Sequence, residues 1–244
     1  MNRARLDMLN AMGITVWVPR EQPTATAEPV AEAAPASESP PAPKPAQIKP
    51  SSAPKPDPGT ATMTWPALEA AVAQCTACRL HGTRTQTVFG VGNRDADWMI
   101  IGEGPGYEED KRGEPFVGPA GKLLNAMLQA TGRAREDVYI ANVVKCRPPE
   151  NRNPQPDEAA HCEPFLARQI ALIRPKLILA VGKVAANNLL GTEASLARLR
   201  GKVHRHPKFD VPIVVTYHPA YLLRQPQDKR KSWMDLKLAM EVTA

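Results

Sequence analysis

The chain has 244 residues, 43% of them hydrophobic, with 31 Lys and Arg against 25 Asp and Glu and a net charge of +6. That length allows one domain of about 200 residues or two smaller ones, and the moderate basic balance fits a polyanionic partner as well as an ordinary solvated surface. No apolar run is long enough to span a bilayer, and Asp7 and Asn10 interrupt any signal-peptide core, so a cytoplasmic protein without a membrane partner is expected. There, four cysteines serve as metal ligands or free thiols rather than disulfides.

Residues 1–20 carry Leu6, Leu9 and Met12 at helical spacing, a stop at Gly13, then Ile14, Val16 and Val18 alternating around Trp17. Such a peptide either folds on binding a partner or packs back onto the main domain. It resembles the N-terminal peptide of the psi subunit of a bacterial polymerase III clamp loader, which implies docking on the chi subunit. Thirteen of the 26 prolines lie between Pro19 and Pro66. Residues 21–64, Pro/Ala-rich and nearly devoid of large apolar side chains, are expected to be a disordered linker. The folded domain is expected over 65–244, about 180 residues, enough for one sizeable core.

Residues 65–80 read as a helix (Leu68, Val72) ending in the pair Cys75 and Cys78. After an extended piece, Thr87 to Gly92, four apolar strands follow: Trp98 to Ile101, Val138 to Val144, Leu177 to Val181 and Pro212 to Tyr217. They alternate with helical patterns beginning after Pro119, at Asp157, at Val184 and in the stretch holding Trp233, Leu236 and Met240. This is the signature of an α/β fold, a parallel sheet covered on both faces. In a parallel sheet the carboxyl ends of the strands share one edge, where ligands bind. Three unusual loops meet there: Gly102 to Gly106, Asn142 to Pro149, and His218 to Arg224.

The first loop opens GEGPGYEEDKRGEPFVG. Gly102, Gly104 and Gly106 permit tight turns and close backbone approach, and Glu103, Glu109 and Asp110 bring carboxylates to the strand end. Those charges would repel a phosphate, and no GK[ST] follows. Asn142, inside an apolar strand, must satisfy both halves of its amide; it is either locked into a backbone network or open to a ligand whose edge pairs a donor with an acceptor, as in uracil. Phe116 offers a stacking face or a loop anchor. His218, held extended by Pro219, suits a metal ligand, a general acid or a hydrogen-bond donor to a developing anion. Cys146 follows a strand and Cys162 sits on a helix. If the CxxC pair folds back on them, four thiolates suit either zinc or an iron–sulfur cluster.

Taken together, GEGPGYEEDKRGEPFVGPAGKLL, NVVKCRPPENRNP, HPAYLLR and the four cysteines resemble the family 4 uracil-DNA glycosylases over about residues 65–240. The resemblance implies a three-layer α/β/α sandwich on a four-stranded parallel sheet. It also implies a [4Fe-4S] cluster on Cys75, Cys78, Cys146 and Cys162, bracing loops that touch DNA. The implied reaction is hydrolysis of the N-glycosidic bond of deoxyuridine in DNA by a monomer, leaving an abasic site for base excision repair. Phe116 would stack on the flipped uracil, Asn142 read its edge, and Gly102 and Gly104 line the pocket. His218 would stabilise the uracil anion, with Glu103 orienting water and Glu109 supporting it. Leu222 or Leu223 would wedge into the vacated stack, with Arg224 on phosphates. Well-known relatives carry an aspartate and a tyrosine where this chain has Gly104 and Gly106, so Glu103 must do the aspartate's work; family 5 relatives lack a carboxylate in this motif. RGKVHRHPKFD holds no clear counterpart of the basic insertion of a covalently trapping group. The alternative from another class is a non-catalytic iron–sulfur module that binds lesions.

Overall fold

The computed structural model describes residues 59–243. The expectations for residues 1–20 and for the linker up to residue 58 lie outside the described residues. Thr60–Thr62, assigned to the linker from composition, form a 3-10 turn in which Thr60 is buried. The Arg168 side chain, donating its Nε–H to the Met63 carbonyl, ties the segment just behind that turn to the main body.

The helices are α1 (Trp65–Ala73), α2 (Tyr107–Arg112), α3 (Pro119–Ala130), α4 (Pro156–Ile173), α5 (Lys183–Leu190), α6 (Leu196–Leu199), α7 (Pro219–Arg224) and α8 (Lys229–Val242). The strands are β1 (Val91–Gly92), β2 (Trp98–Gly102), β3 (Tyr139–Asn142), β4 (Leu177–Val181), β5 (Val203–Arg205) and β6 (Pro212–Thr216). They form one sheet in the order β1-β3-β2-β4-β6-β5. The four expected strands make its parallel centre, β3-β2-β4-β6. Two short antiparallel edges, β1 on β3 and β5 on β6, widen it to six.

Alternation along the central strands divides the core into two slabs. Met99, Ile101, Ala141, Ile178, Ala180, Ile213 and Val215 face one side with Leu166 and Ile170 of α4 and Ala185 and Leu189 of α5. Trp98, Ile100, Ile140, Leu177, Leu179, Val181 and Val214 face the other, with Leu124 and Leu128 of α3 and Leu236 and Ala239 of α8. Every residue of β2, β3 and β4 is buried, as a sheet covered on both faces requires. At about 25 cal/mol per Å² of apolar surface, this double burial dominates the stability of the unit.

One expected element differs. The CxxC pair does not end a helix: α1 stops at Ala73, and Cys75 and Cys78 lie in the turn leading to a 3-10 segment, Arg79–Gly82. That turn brings both cysteines to a cavity shared with Cys146, after β3, and Cys162 of α4. Among the described residues no helix is long and apolar enough to cross a membrane.

Candidate active site and cysteine cradle

The carboxyl ends of β2, β3 and β6 meet in a cleft of about 420 Å³, lined among others by Glu103, Gly104, Phe116, Asn142, His218 and Arg224. The β2–β3 ladder runs on past the strand ends: Val143 N–H donates to the Gly102 carbonyl (2.9 Å) and Val144 N–H to that of Glu103 (3.2 Å). Glu103 and Asn142 therefore sit on adjacent, rigidly paired backbones.

Gly102 is a glycine for steric reasons. A Cβ there would lie 2.5 Å from Asn142 Oδ1 and 2.6 Å from the Phe116 ring, so only a bare backbone lets these two groups close over the strand end. Asn142 is 2% exposed. Its backbone carbonyl accepts from Lys145 Nζ at 3.0 Å, while the same ammonium donates to Gln169 Oε1 at 2.7 Å. Gln169 in turn donates to the Phe89 carbonyl and the Tyr139 hydroxyl. Burial lowers the Lys145 pKa to about 8. This network, which nothing in the local sequence marks, clamps the backbone of Asn142 where the residue lines the cleft.

Phe116 stands in the left-handed region (φ 55°), a conformation costing a non-glycine residue about 1–2 kcal/mol. Arg135 holds it there. Its guanidinium donates to the carbonyls of Pro115 (2.6 Å) and Phe116 (3.3 Å) and to Asn125 Oδ1 (3.2 Å). The Phe116 ring lies 5.6 Å from that of His218, at 30°. Nothing in the local sequence marks Arg135, which comes from the turn before β3.

His218 caps α7, its Nδ1 accepting from Ala220 N–H at 3.1 Å. With Nδ1 occupied as an acceptor, the neutral ring carries its proton on Nε2. Burial, reinforced by Arg224, pulls its pKa down to about 4. The side chain is thus a neutral N–H donor at physiological pH. Burial moves Glu103 the other way, raising its pKa, because desolvation disfavours the carboxylate.

Of the two neighbouring acids, Glu109 shares the cleft with Glu103 and Asp110 does not. Glu109 accepts from the backbone N–H groups of Gly106, Val117 and Gly118. Its carboxylate closes the loop between α2 and α3 that carries Phe116, while it also lines the cleft. Asp110 is buried and accepts from Thr85 and Gln86 N–H, away from the cleft. The leucine pair also resolves. Leu222 is 1% exposed and packs in the core, whereas Leu223 is 45% exposed. The helical phase of α7 therefore buries Leu222 and leaves Leu223 at the surface. Leu222→Ala is expected to cost about 2–5 kcal/mol in urea unfolding. Leu223→Ala should unfold within about 0.5 kcal/mol of the parent and lose activity on duplex more than on single-stranded substrate.

Asn151, Arg152 and Asn153 complete the cleft from the loop after β3. Arg152 forms a two-pronged pair with buried Glu158 (2.7 and 2.8 Å), which also accepts from Arg79 Nε at 3.1 Å. The Arg152 hydrogen bonds, with help from Gln155 N–H and Arg79, hold the Glu158 carboxyl down to about 2. Glu158 thereby joins the cleft to the residue following Cys78.

All four cysteines line one small cavity behind that pair. Among the described residues no group of three or more His, Cys, Asp and Glu side chains is placed to hold a metal ion. Hydrogen-bond donors nonetheless address the sulfurs: Arg84 Nη1 lies 3.0 Å from Cys146 Sγ, and the backbone N–H groups of Leu80 and Lys145 serve Cys78 and Cys162. Without a counter-cation burial opposes thiolate formation, pushing Cys162 up to about 12 and raising Cys78 and Cys146. Four sulfurs around one apolar cavity, with N–H donors aimed at them, fit a thiolate-ligated group.

The model of the uracil DNA glycosylase superfamily matches residues 89–237. The chain is 45% identical over 172 residues to the type-4 uracil-DNA glycosylase of Archaeoglobus fulgidus, covering 68% of this chain and 86% of that protein. It is 49% identical over 158 residues to the type-4 uracil-DNA glycosylase of Thermotoga maritima, covering 63% and 80%. To the type-5 uracil-DNA glycosylase of Pyrobaculum aerophilum it is 28% identical over 149 residues, covering 54% and 64%.

Proposed function

The chain belongs to the uracil-DNA glycosylase superfamily, and on that footing we propose a division of labour in the cleft by which it releases uracil from DNA. It is a DNA glycosylase of base excision repair, hydrolysing the N-glycosyl bond of deoxyuridine. The observation that carries the residue roles is that one cleft is lined by an opposed pair of perturbed groups from the ends of β2 and β6, which flank β4: a neutral His218 donor and a desolvated Glu103.

An enzyme acting on a stacked base must first extrude it, at a cost of a few kcal/mol. Leu223 fills the gap, and Arg224, at the cleft rim, meets phosphate. Uracil stacks on Phe116, and the Asn142 amide pairs with its O4 and N3–H. As the C1′–N1 bond breaks, electrons move onto the base, and His218 Nε2–H meets the charge developing on O2. Glu103 faces the cationic sugar and accepts a proton from the water whose oxygen bonds to C1′. The uracil anion is then protonated, giving free uracil and an abasic site.

The donor set fits a [4Fe-4S] cluster on Cys75, Cys78, Cys146 and Cys162. Bound there, it would supply no step of the hydrolysis but would fasten the turn after α1, the loop after β3 and α4 together. A monomeric state and docking of residues 1–20 on the chi subunit of a clamp loader rest on the sequence pattern alone. The test is a panel of single- and double-stranded oligonucleotides carrying uracil, thymine or hypoxanthine, treated with alkali to cut abasic sites. Scission at uracil is expected, with thymine spared; scission at none of the three bases would refute the reading.

A further inference from the structure

Tyr107 follows the cleft-lining Pro105 and Gly106, yet its side chain turns outward and remains 48% exposed. Two cations attend its ring, Lys111 Nζ at 4.2 Å and the Arg147 guanidinium at 5.1 Å from the centroid. Arg147 Nε also donates to Asn151 Oδ1 at 2.7 Å, and both Asn151 and Pro148, the residue after Arg147, line the cleft. The cluster thus joins the two loops that build one side of the cleft, outside it. None of its members takes part in the chemistry assigned above.

A half-exposed aromatic ring with positive side chains over it has the parts of a platform for single-stranded nucleic acid: a base stacks on the ring in place of a flexible cation, which moves to a neighbouring phosphate. The exposed large hydrophobic side chains of the described residues are Tyr107, Val203, Leu223, Trp233 and Met234. Of these, Tyr107 combines two ring-bound cations with a place next to cleft-lining residues. Continuity with the cleft and charge complementarity select its occupant.

We propose that Tyr107, flanked by Lys111 and Arg147, is a stacking platform for the base of the nucleotide adjoining the extruded uridine in single-stranded DNA. The proposal rests on the cleft being the uracil pocket. It implies that the enzyme grips the strand by a neighbouring base of any identity, since every base has a face to stack.

The test measures fluorescence-anisotropy affinity for single-stranded oligonucleotides bearing a carbon-linked deoxyuridine analogue, which cannot be hydrolysed. The nucleotide on its 5′ or its 3′ side carries either a normal base or an abasic spacer. For the parent protein the spacer should weaken binding about tenfold on one side, within the range for a base stacked on an aromatic ring. Tyr107→Ser should weaken binding to the full oligonucleotide by a similar factor and show no further loss with the spacer, whereas Tyr107→Phe, keeping the ring, should behave as the parent. Equal spacer losses in the parent and Tyr107→Ser, or unchanged affinity in Tyr107→Ser, would overturn the platform. Uracil release by the parent from the matching natural oligonucleotide is scored separately. Release without the spacer contrast sinks the platform alone, and no release sinks the glycosylase reading whatever the contrast shows.

Discussion

Glu103→Gln is expected to lower single-turnover uracil release by about 10²- to 10⁴-fold, the usual contribution of a positioned proton acceptor, while affinity for uracil-containing DNA changes little. The amide keeps the shape of the side chain at the end of β2 but neither accepts a proton nor offsets positive charge on the sugar. The pH profile should identify the group. Burial raises the Glu103 pKa above its usual 4.5, so the carboxylate, the form that works, is lost as pH falls through a value above 4.5. Activity should therefore rise with pH along a single acidic limb and then level. That limb should vanish in Glu103→Gln. His218 adds no limb near neutrality, since its pKa is held at about 4 and its donating form is the neutral ring throughout the working range.

Replacing Cys146 by serine should have the second large effect, this time on the fold. Iron and acid-labile sulfide would fall from four of each per chain to a small residue, and stability would drop by about 4 kcal/mol or more, as for other lost metal sites. The damage should reach the cleft through Glu158, which ties Arg79, next to Cys78, to Arg152. KM should therefore rise more than kcat falls. Full iron content in the variant, or an iron-free parent with full stability, would contradict the assignment of the cradle.

The four central strands were legible because their middles are buried on both sides and read as apolar runs. The edges were not: Val91–Gly92 is two residues long, and Val203–Arg205 alternates exposed side chains with a histidine. The cleft was legible where a residue type was odd for its setting, as with an asparagine inside an apolar strand or a carboxylate at its end. It was illegible where tertiary partners decide. Glu103 and Glu109 are chemically alike, and only the three backbone N–H groups converging on Glu109 separate them. Leu222 and Leu223 are adjacent and identical, so the phase of α7 alone sends one into the core. Arg135 and Lys145 read as ordinary basic residues; their work lies in carbonyls brought to them by folding.

In the proposed reaction this cleft hydrolyses the bond between uracil and deoxyribose with water as the nucleophile. Mass spectrometry of a single turnover on a uracil-containing oligonucleotide, run in oxygen-18 water, tests it most directly. Equal amounts of free uracil and free abasic DNA, with the label at C1′ of the abasic sugar, are predicted; DNA left bonded to the protein, or an oligonucleotide that keeps its uracil, would contradict it.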